Sequence, residues 1–222
     1  MKAEEMLERV DHTLLHAACS WPEICALCEE AIQYHMASVC VPPSYVARIH
    51  TAYGGRVKIC TVVGFPLGYC EDDVKAAETL QAVKNGADEI DMVIDLGDVK
   101  NGDFEKVTNQ IAKVKAAAGD RVVKVIVETC YLTKEEKIRL CRCVTEGGAD
   151  FIKTSTGFGP AGAHLEDVRL FREYIGPNVK IKAAGGIASL EEMEAFLLAG
   201  CDRIGSSGAV RMLKAASERT KE

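Results

Sequence analysis

A glycine-ended phrase used three times, eight short apolar runs and the helical patterns between them predict an α/β fold. The form expected is a (β/α)8, or TIM, barrel in a single domain over residues 1–222. The phrase is Asn85-Gly86-Ala87-Asp88, then Gly147-Gly148-Ala149-Asp150, then Ala199-Gly200-Cys201-Asp202. In each case an amphipathic segment ends at glycine, which takes the left-handed conformation that stops a helix. An apolar run begins one or two residues later. A helix stop followed directly by a strand, repeated along the chain, marks alternating β and α units.

The eight runs lie at residues 11–15, 38–41, 58–63, 89–93, 122–128, 151–154, 179–183 and 202–205. Three of the intervening helices announce their starts. Ser20-Trp21-Pro22-Glu23, Thr133-Lys134-Glu135-Glu136 and Ser189-Leu190-Glu191-Glu192 each offer a Ser or Thr N-cap with Glu three residues on. No segment reads as a linker or as low complexity. Eight units in 222 residues suit a compact closed barrel, with a doubly wound open sheet as the alternative.

Composition excludes several classes of protein. A chain that is 48% hydrophobic and 27% charged is ordinary for a soluble enzyme, and a net charge of −6 argues against a nucleic-acid partner. Met1-Lys2-Ala3-Glu4-Glu5-Met6 holds no signal-peptide core, and no run reaches the roughly 18 apolar residues that span a membrane. The expected location is the cytoplasm, with no membrane partner. The 10 cysteines include Cys25-x-x-Cys28 and Cys141-x-Cys143, both in helical stretches with no second pair to complete a zinc site. They are expected to be reduced and mostly buried. His12, His16, His35, His50 and His164 show no ligand spacing, so no metal is expected.

Side-chain alternation along the strands then selects the residues that face the barrel interior. Asp91 opposes Ile90 and Met92, and Lys124, Ile126 and Glu128 share a face opposite Val123, Val125 and Val127. Lys153 opposes Ile152, and Lys182 opposes Ile181. With the aliphatic set turned toward the helices, Asp91, Lys124, Lys153 and Lys182 point inward. A lysine inside an apolar strand tends to lose its proton, and two facing one cavity are expected to depress each other's proton affinity. That points to Schiff-base chemistry on a carbonyl, with Asp91 placed for proton transfer. Lys124 and Glu128 also admit a simpler reading as an internal ion pair.

The loops after the last two strands carry Gly185-Gly186 and Gly205-Ser206-Ser207-Gly208. In a barrel these loops frequently hold a phosphate through backbone N–H groups and a helix N-terminus. Gly157-Phe158-Gly159-Pro160-Ala161-Gly162 matches G-x-G-x-x-G, but about 20 positions later a dinucleotide site needs an acid. The chain offers Val179-Lys180-Ile181-Lys182 there, so a dinucleotide is not expected. Ser155 lacks the G-x-S-x-G elbow of serine hydrolases.

Seven segments, in order, resemble the motifs of deoxyribose-phosphate aldolases. They are Asp11-His12-Thr13-Leu14-Leu15, Val63-Gly64-Phe65-Pro66-x-Gly68, Glu89-Ile90-Asp91 and Lys124-Val125-Ile126-Val127-Glu128. Phe151-Ile152-Lys153-Thr154-Ser155-Thr156-Gly157-Phe158, Lys182-Ala183-Ala184-Gly185-Gly186 and Arg203-Ile204-Gly205-Ser206-Ser207 complete the set. The resemblance implies a metal-independent class I aldolase without a cofactor. It would interconvert 2-deoxy-D-ribose 5-phosphate with acetaldehyde and D-glyceraldehyde 3-phosphate, in deoxyribose phosphate catabolism. By motif, Lys153 is the Schiff-base lysine, Lys182 depresses its proton affinity, and Asp91 shuttles protons with water. Lys124 lies near that acid, and Asp11, Thr13, Cys40, Thr156 and Gly157 line the pocket. Gly185, Gly186, Gly205, Ser206 and Ser207 grip the phosphate. The partners implied are a sugar phosphate and small aldehydes, with room for a homodimer or homotetramer.

The sequence departs from that pattern at Val41-Pro42-Pro43, where an asparagine often follows, and at Arg219-Thr220-Lys221-Glu222, which carries no C-terminal tyrosine. Two other functions share part of the evidence. Another Schiff-base aldolase, transaldolase-like, would keep the reactive lysine with a different donor. A silent sugar-phosphate-binding barrel would have little reason to keep Asp91, Lys153 and Lys182.

Overall fold

In a computed structural model that describes residues 1–219, the eight expected runs form eight parallel strands closed into one barrel in the order β1 to β8. The first half runs α1 (Ala3–Leu7), β1 (Val10–Thr13), α2 (Trp21–Gln33), β2 (Ser38–Val41), α3 (Val46–Tyr53), β3 (Ile59–Val63), α4 (Asp72–Lys84) and β4 (Glu89–Val93). The second half runs α5 (Leu96–Asn101), α6 (Phe104–Ala118), β5 (Val122–Ile126), α7 (Lys134–Glu146), β6 (Phe151–Lys153), α8 (Leu165–Tyr174), β7 (Lys180–Ala184), α9 (Leu190–Leu198), β8 (Arg203–Ser206) and α10 (Ala209–Arg219). Closure is made by β1 pairing with β8, Asp11 opposite Gly205 and His12 opposite Ser206. That pairing removes the open-sheet alternative. Residues 220–222, on which the expectation about a C-terminal tyrosine falls, lie outside the described residues.

The helix starts and stops follow local chemistry. Glu23 accepts the Ser20 backbone N–H at 2.7 Å, and Thr133 and Glu136 exchange two such bonds at 2.7 and 3.2 Å. Ser189 caps α9 by accepting the Glu192 N–H at 3.1 Å, while the Glu192 carboxylate reaches back one residue further, to Ala188. The repeated phrase ends its helices at Gly86, Gly148 and Gly200, with φ of 103°, 74° and 112°. Such values are open to glycine at no steric cost. The Asp of each phrase then turns back onto the neighbouring strand. Asp88, Asp150 and Asp202 accept the backbone N–H of Ile59, Val123 and Ile181 at 2.8–3.0 Å.

The main hydrophobic core sits between barrel and helices, not inside the barrel. Ile90, Met92, Val123, Val125, Ile152, Ile181 and Ile204 belong to one continuous cluster with helix residues such as Ile111, Leu140 and Phe171. Inside the barrel the only apolar cluster found among the described residues is Cys40, Cys60 and Val62, capped by Leu15 and Phe65. Apart from scattered apolar residues such as Ile126 and Phe151, which share the faces of Lys124 and Lys153, much of the interior is charged, so the outer layer supplies most of the burial that stabilises the fold. All 10 cysteines are free thiols, and seven of them are buried (Cys19, Cys28, Cys40, Cys60, Cys141, Cys143 and Cys201). Among the described residues no helix is long and apolar enough to cross a membrane.

Two strands end two residues before expectation: β1 stops at Thr13, where the first run extends to residue 15, and β5 differs with more consequence. The fifth run extends to residue 128 by pattern, but β5 stops at Ile126 and Glu128 adopts φ 51°. The alternation that places Lys124 inward therefore does not carry through to Glu128.

Phe171 on α8 is completely buried in the outer cluster. Phe171→Ala should cost about 3–5 kcal/mol, the range for truncating a buried aromatic. A urea unfolding midpoint that stays unchanged would contradict the location of the core.

Candidate active site

Strand register gathers the inward-facing charges. Asp91 lies opposite Lys124, Lys153 opposite Lys182, and Lys182 opposite Arg203. The Asp91 carboxylate binds all three lysines: Lys124 Nζ at 2.8 Å through Oδ1, and Lys153 and Lys182 Nζ at 2.7 Å each through Oδ2. A second layer lies deeper. Lys182 also bonds Asp11, and Arg203 reaches Asp11 at 2.5 Å and Glu89 at 3.3 Å. Lys124 bonds Glu89 at 2.5 Å and approaches Asp11 at 3.4 Å, while Ser38 donates to Asp11 at 2.7 Å. Asp11, Asp91, Lys124 and Lys182 are completely buried.

Burial opposes charge on each of these groups, and their neighbours decide the outcome. Burial pushes the Asp91 carboxyl up, but Lys124, Lys153 and Lys182 outweigh it and hold the group well below the usual carboxylate range. Asp11 is lowered in the same way by Lys124, Lys182 and Arg203. For Lys182 the structure corrects the sequence expectation. Burial pushes its ammonium down, yet the Asp11 and Asp91 carboxylates prevail and hold it above the ordinary lysine range. Two carboxylates thus oppose loss of the Lys182 proton. Lys124 is held up in the same way against burial, chiefly by Asp11 and Asp91.

The Lys124–Glu128 ion pair, the simpler of the two readings of these residues, does not form. Lys124 is taken by Asp11, Glu89 and Asp91, whereas Glu128 bonds Thr156. Ligand atoms of Cys40, Cys60 and Asp91, and of Asp11, Cys60 and Glu89, lie within 4.8 Å of one another. These carboxylates already face four basic groups (Lys124, Lys153, Lys182 and Arg203), which leaves no unbalanced negative charge for a cation.

A cavity of about 290 Å³ opens above this cluster at the C-terminal ends of the strands. Its lining includes Thr13, Lys153, Thr156, Gly157, Gly185, Gly186, Gly205, Ser206 and Ser207. Of the three lysines, Lys153 alone lines it; Lys124, Lys182, Asp91, Asp11 and Cys40 lie beneath the floor. Cys40 belongs to the small interior cluster, where a hydrogen bond with Cys60, outweighing burial, lowers its thiol below the ordinary range. Burial pushes Cys60 well up; its thiol donates to Asp91 at 3.1 Å and accepts from Lys124 at 3.2 Å.

Two glycines make this arrangement possible. A Cβ at Gly205 would stand 2.9 Å from Ala184 and 3.2 Å from the Lys182 side chain, so glycine leaves the lysine its room. A Cβ at Gly162 would meet the Gly185 carbonyl oxygen at 2.2 Å, and Ala163 donates to that oxygen at 3.0 Å. The last glycine of the G-x-G-x-x-G stretch therefore packs two loops of the pocket together.

Sequence reasoning missed Glu89, Arg203, Ser38 and Cys60 in the cluster, and Leu15 and Phe158 in the cavity wall. Glu89 shares the Asp91 face by alternation, a signal already present in Glu89-Ile90-Asp91. Nothing periodic marks Leu15 or Phe158, which lie in loops.

A lysine-floored pocket at the C-terminal mouth of a closed parallel barrel is the arrangement of a barrel enzyme acting on a small molecule. The family model described as DeoC/LacD family aldolase matches residues 6–216. Deoxyribose-phosphate aldolase of Clostridium botulinum (strain Eklund 17B / Type B) is 56% identical over 214 residues, covering 96% of this chain and 97% of that protein. The enzyme of that name from Clostridioides difficile (strain 630) is 51% identical over 95% of this chain and 96% of its own. Among solved structures, the aldolase QR15 superposes with a TM-score of 0.91 at 36% identity, covering 97% of each chain. The tetrameric deoxyribose phosphate aldolase from Aeropyrum pernix does so with a TM-score of 0.88 at 30% identity, over 97% of this chain and 92% of its own. The chain belongs to the DeoC/LacD aldolase family.

The depressed carboxylates link the site to acid stability. Asp11 and Asp91 bind protons more weakly folded than unfolded, so they stabilise the fold fully above the unfolded carboxylate range, about pH 4. That contribution drains as pH falls further toward the folded values. Urea midpoints should hold near neutrality and drop below about pH 4, and a midpoint flat through pH 3 would contradict the linkage.

Proposed function

We propose that the chain cleaves 2-deoxy-D-ribose 5-phosphate reversibly to acetaldehyde and D-glyceraldehyde 3-phosphate through a Schiff base on Lys153. The observation that carries the reading is that Lys153 is the one cluster lysine in the cavity wall, held at 2.7 Å by the Asp91 carboxylate. The Lys153 amine attacks the sugar carbonyl, and loss of water leaves an iminium. The iminium withdraws the electron pair of the C–C bond as it breaks, so the donor half leaves as an enamine and not as a bare carbanion. The C3 hydroxyl proton departs as the glyceraldehyde carbonyl forms. Protonation and hydrolysis of the enamine then release acetaldehyde and regenerate the amine.

Asp91 is suited to relay these protons, since it touches Lys153 and Lys182 through the same oxygen. Lys182, bound by Asp11 and Asp91, stands beside Lys153 on the same Asp91 oxygen and can hand protons to it through that carboxylate. Lys124, Glu89 and Arg203 keep those carboxylates engaged from below. For the phosphate, Gly185, Gly186, Gly205, Ser206 and Ser207 line the cavity side next to the start of α10. Backbone N–H groups at a helix N-terminus favour an anion, and binding the phosphate there orients the sugar over the amine. Thr13, Thr156 and Gly157 complete the polar lining.

The same reading places the enzyme in the cytoplasm, where its free thiols stay reduced, and allows a homo-oligomer such as the tetramer of the Aeropyrum pernix relative.

Lys153→Leu should lower turnover about a thousandfold or more while leaving the fold and sugar-phosphate binding intact. Retained turnover would remove the Schiff-base assignment and favour a binding barrel. Lys182→Met removes one of the lysines that Asp91 binds beside Lys153, so turnover should fall about tenfold or more while borohydride still traps the Lys153 adduct. Unchanged turnover would contradict a role for Lys182 in the reaction.

A further inference from the structure

Just beyond β5 stands a carboxylate for which the proposed chemistry has no use. Glu128 is only 3% exposed, and with φ 51° and ψ 67° it is one of two non-glycine residues at positive φ among the described residues. An L-residue enters this region against steric resistance, and such residues collect where geometry must be held. The partners of the carboxylate show what is held. The Thr156 backbone N–H donates to it, 3.2 Å from Oε1 and 3.3 Å from Oε2, and the Thr156 hydroxyl donates to Oε2. Thr156 Oγ1 accepts the Phe158 N–H at 3.0 Å. Gly159 lies so close that a Cβ there would stand 3.3 Å from the Glu128 carboxyl carbon. Residues 156–159 are thereby folded onto Glu128, and Thr156 faces the same cavity as Lys153.

The hydroxyl inventory fixes the polarity of that contact. A threonine hydroxyl has one proton and two lone pairs, and a carboxylate only accepts. The Thr156 proton goes to Glu128, one lone pair takes the Phe158 N–H, and a single lone pair remains. We infer that Glu128 is a positioning residue that makes Thr156 an acceptor-only contact, selecting a substrate hydroxyl between the carbon held at Lys153 and the phosphate held at the glycine loops. The inference rests on the Lys153 chemistry proposed above.

Glu128→Gln keeps the shape but puts an amide donor where one carboxylate oxygen stood, so the Thr156 N–H and hydroxyl compete for a single acceptor oxygen and the hydroxyl can turn its proton into the cavity. Thr156→Val removes the acceptor, and Thr156→Ser restores it. Two rates separate the effects. Cleavage of 2-deoxy-D-ribose 5-phosphate needs the hydroxyl contact. Exchange of acetaldehyde methyl protons with D2O, followed by NMR, needs the Lys153 enamine but no substrate hydroxyl. For Glu128→Gln and Thr156→Val, cleavage kcat/KM should fall about tenfold or more, and the exchange-to-cleavage ratio should rise by a similar factor. The double variant should lose little beyond either single one, because the two residues serve one contact. Thr156→Ser should recover most of the cleavage rate.

Other results have distinct meanings. No exchange by the wild-type enzyme would sink the Lys153 chemistry itself. Exchange by the wild type, with both rates falling in parallel in the variants, would reduce Glu128 to a support of the fold. Unchanged cleavage in Glu128→Gln would overturn the inference directly.

Discussion

One buried carboxylate, Asp91, binds three lysines at 2.7–2.8 Å, and the interior of the barrel is arranged around it. Ammonium groups gathered at one point repel each other, and removing any of them from water is costly, so lysines so placed need a carboxylate between them. The deeper layer of Asp11, Glu89 and Arg203 brings the cluster to three carboxylates against four basic groups without entering the cavity. Closure of the barrel supplies the geometry. Because β1 meets β8, Asp11 arrives beside Lys182 although 171 residues separate them in the chain.

A polar interior gives up burial that an apolar one would provide, and the outer layer offsets the loss. The inward residues of β4 to β7 carry the charges, while their outward neighbours Ile90, Met92, Val123, Val125, Ile152 and Ile181 join the continuous cluster beneath the helices. Stability and chemistry therefore reside on opposite faces of the same strands. The loops are free of the first task and can shape the pocket, which explains their tight glycine packing at Gly162 against Gly185.

Much of this was legible in the sequence because it is periodic or local. The glycine stops gave the strand starts, Ser20, Thr133 and Ser189 gave helix starts, and two-residue alternation turned Asp91, Lys124, Lys153 and Lys182 inward. Depth along a strand is different, since it depends on how neighbouring strands are staggered. That is why Glu89 and Arg203 escaped notice although they share faces with Asp91 and Gly205. It is also why Asp11 and Cys40 were expected in the pocket wall and lie below its floor. The left-handed turn at Glu128 breaks the alternation on which the reading of an ion pair with Lys124 rested. The charge state of Lys182 was beyond sequence reading for a related reason: it is set by Asp11 and Asp91, two carboxylates brought from distant strands.

The most direct test is to incubate the enzyme with acetaldehyde and borohydride, then locate the adduct by intact mass and peptide mapping. A reduced two-carbon adduct confined to Lys153 is expected, since Lys153 alone of the three lysines reaches the cavity. An adduct on Lys182 or Lys124, or none on folded protein, would contradict the assignment of Lys153 as the nucleophile.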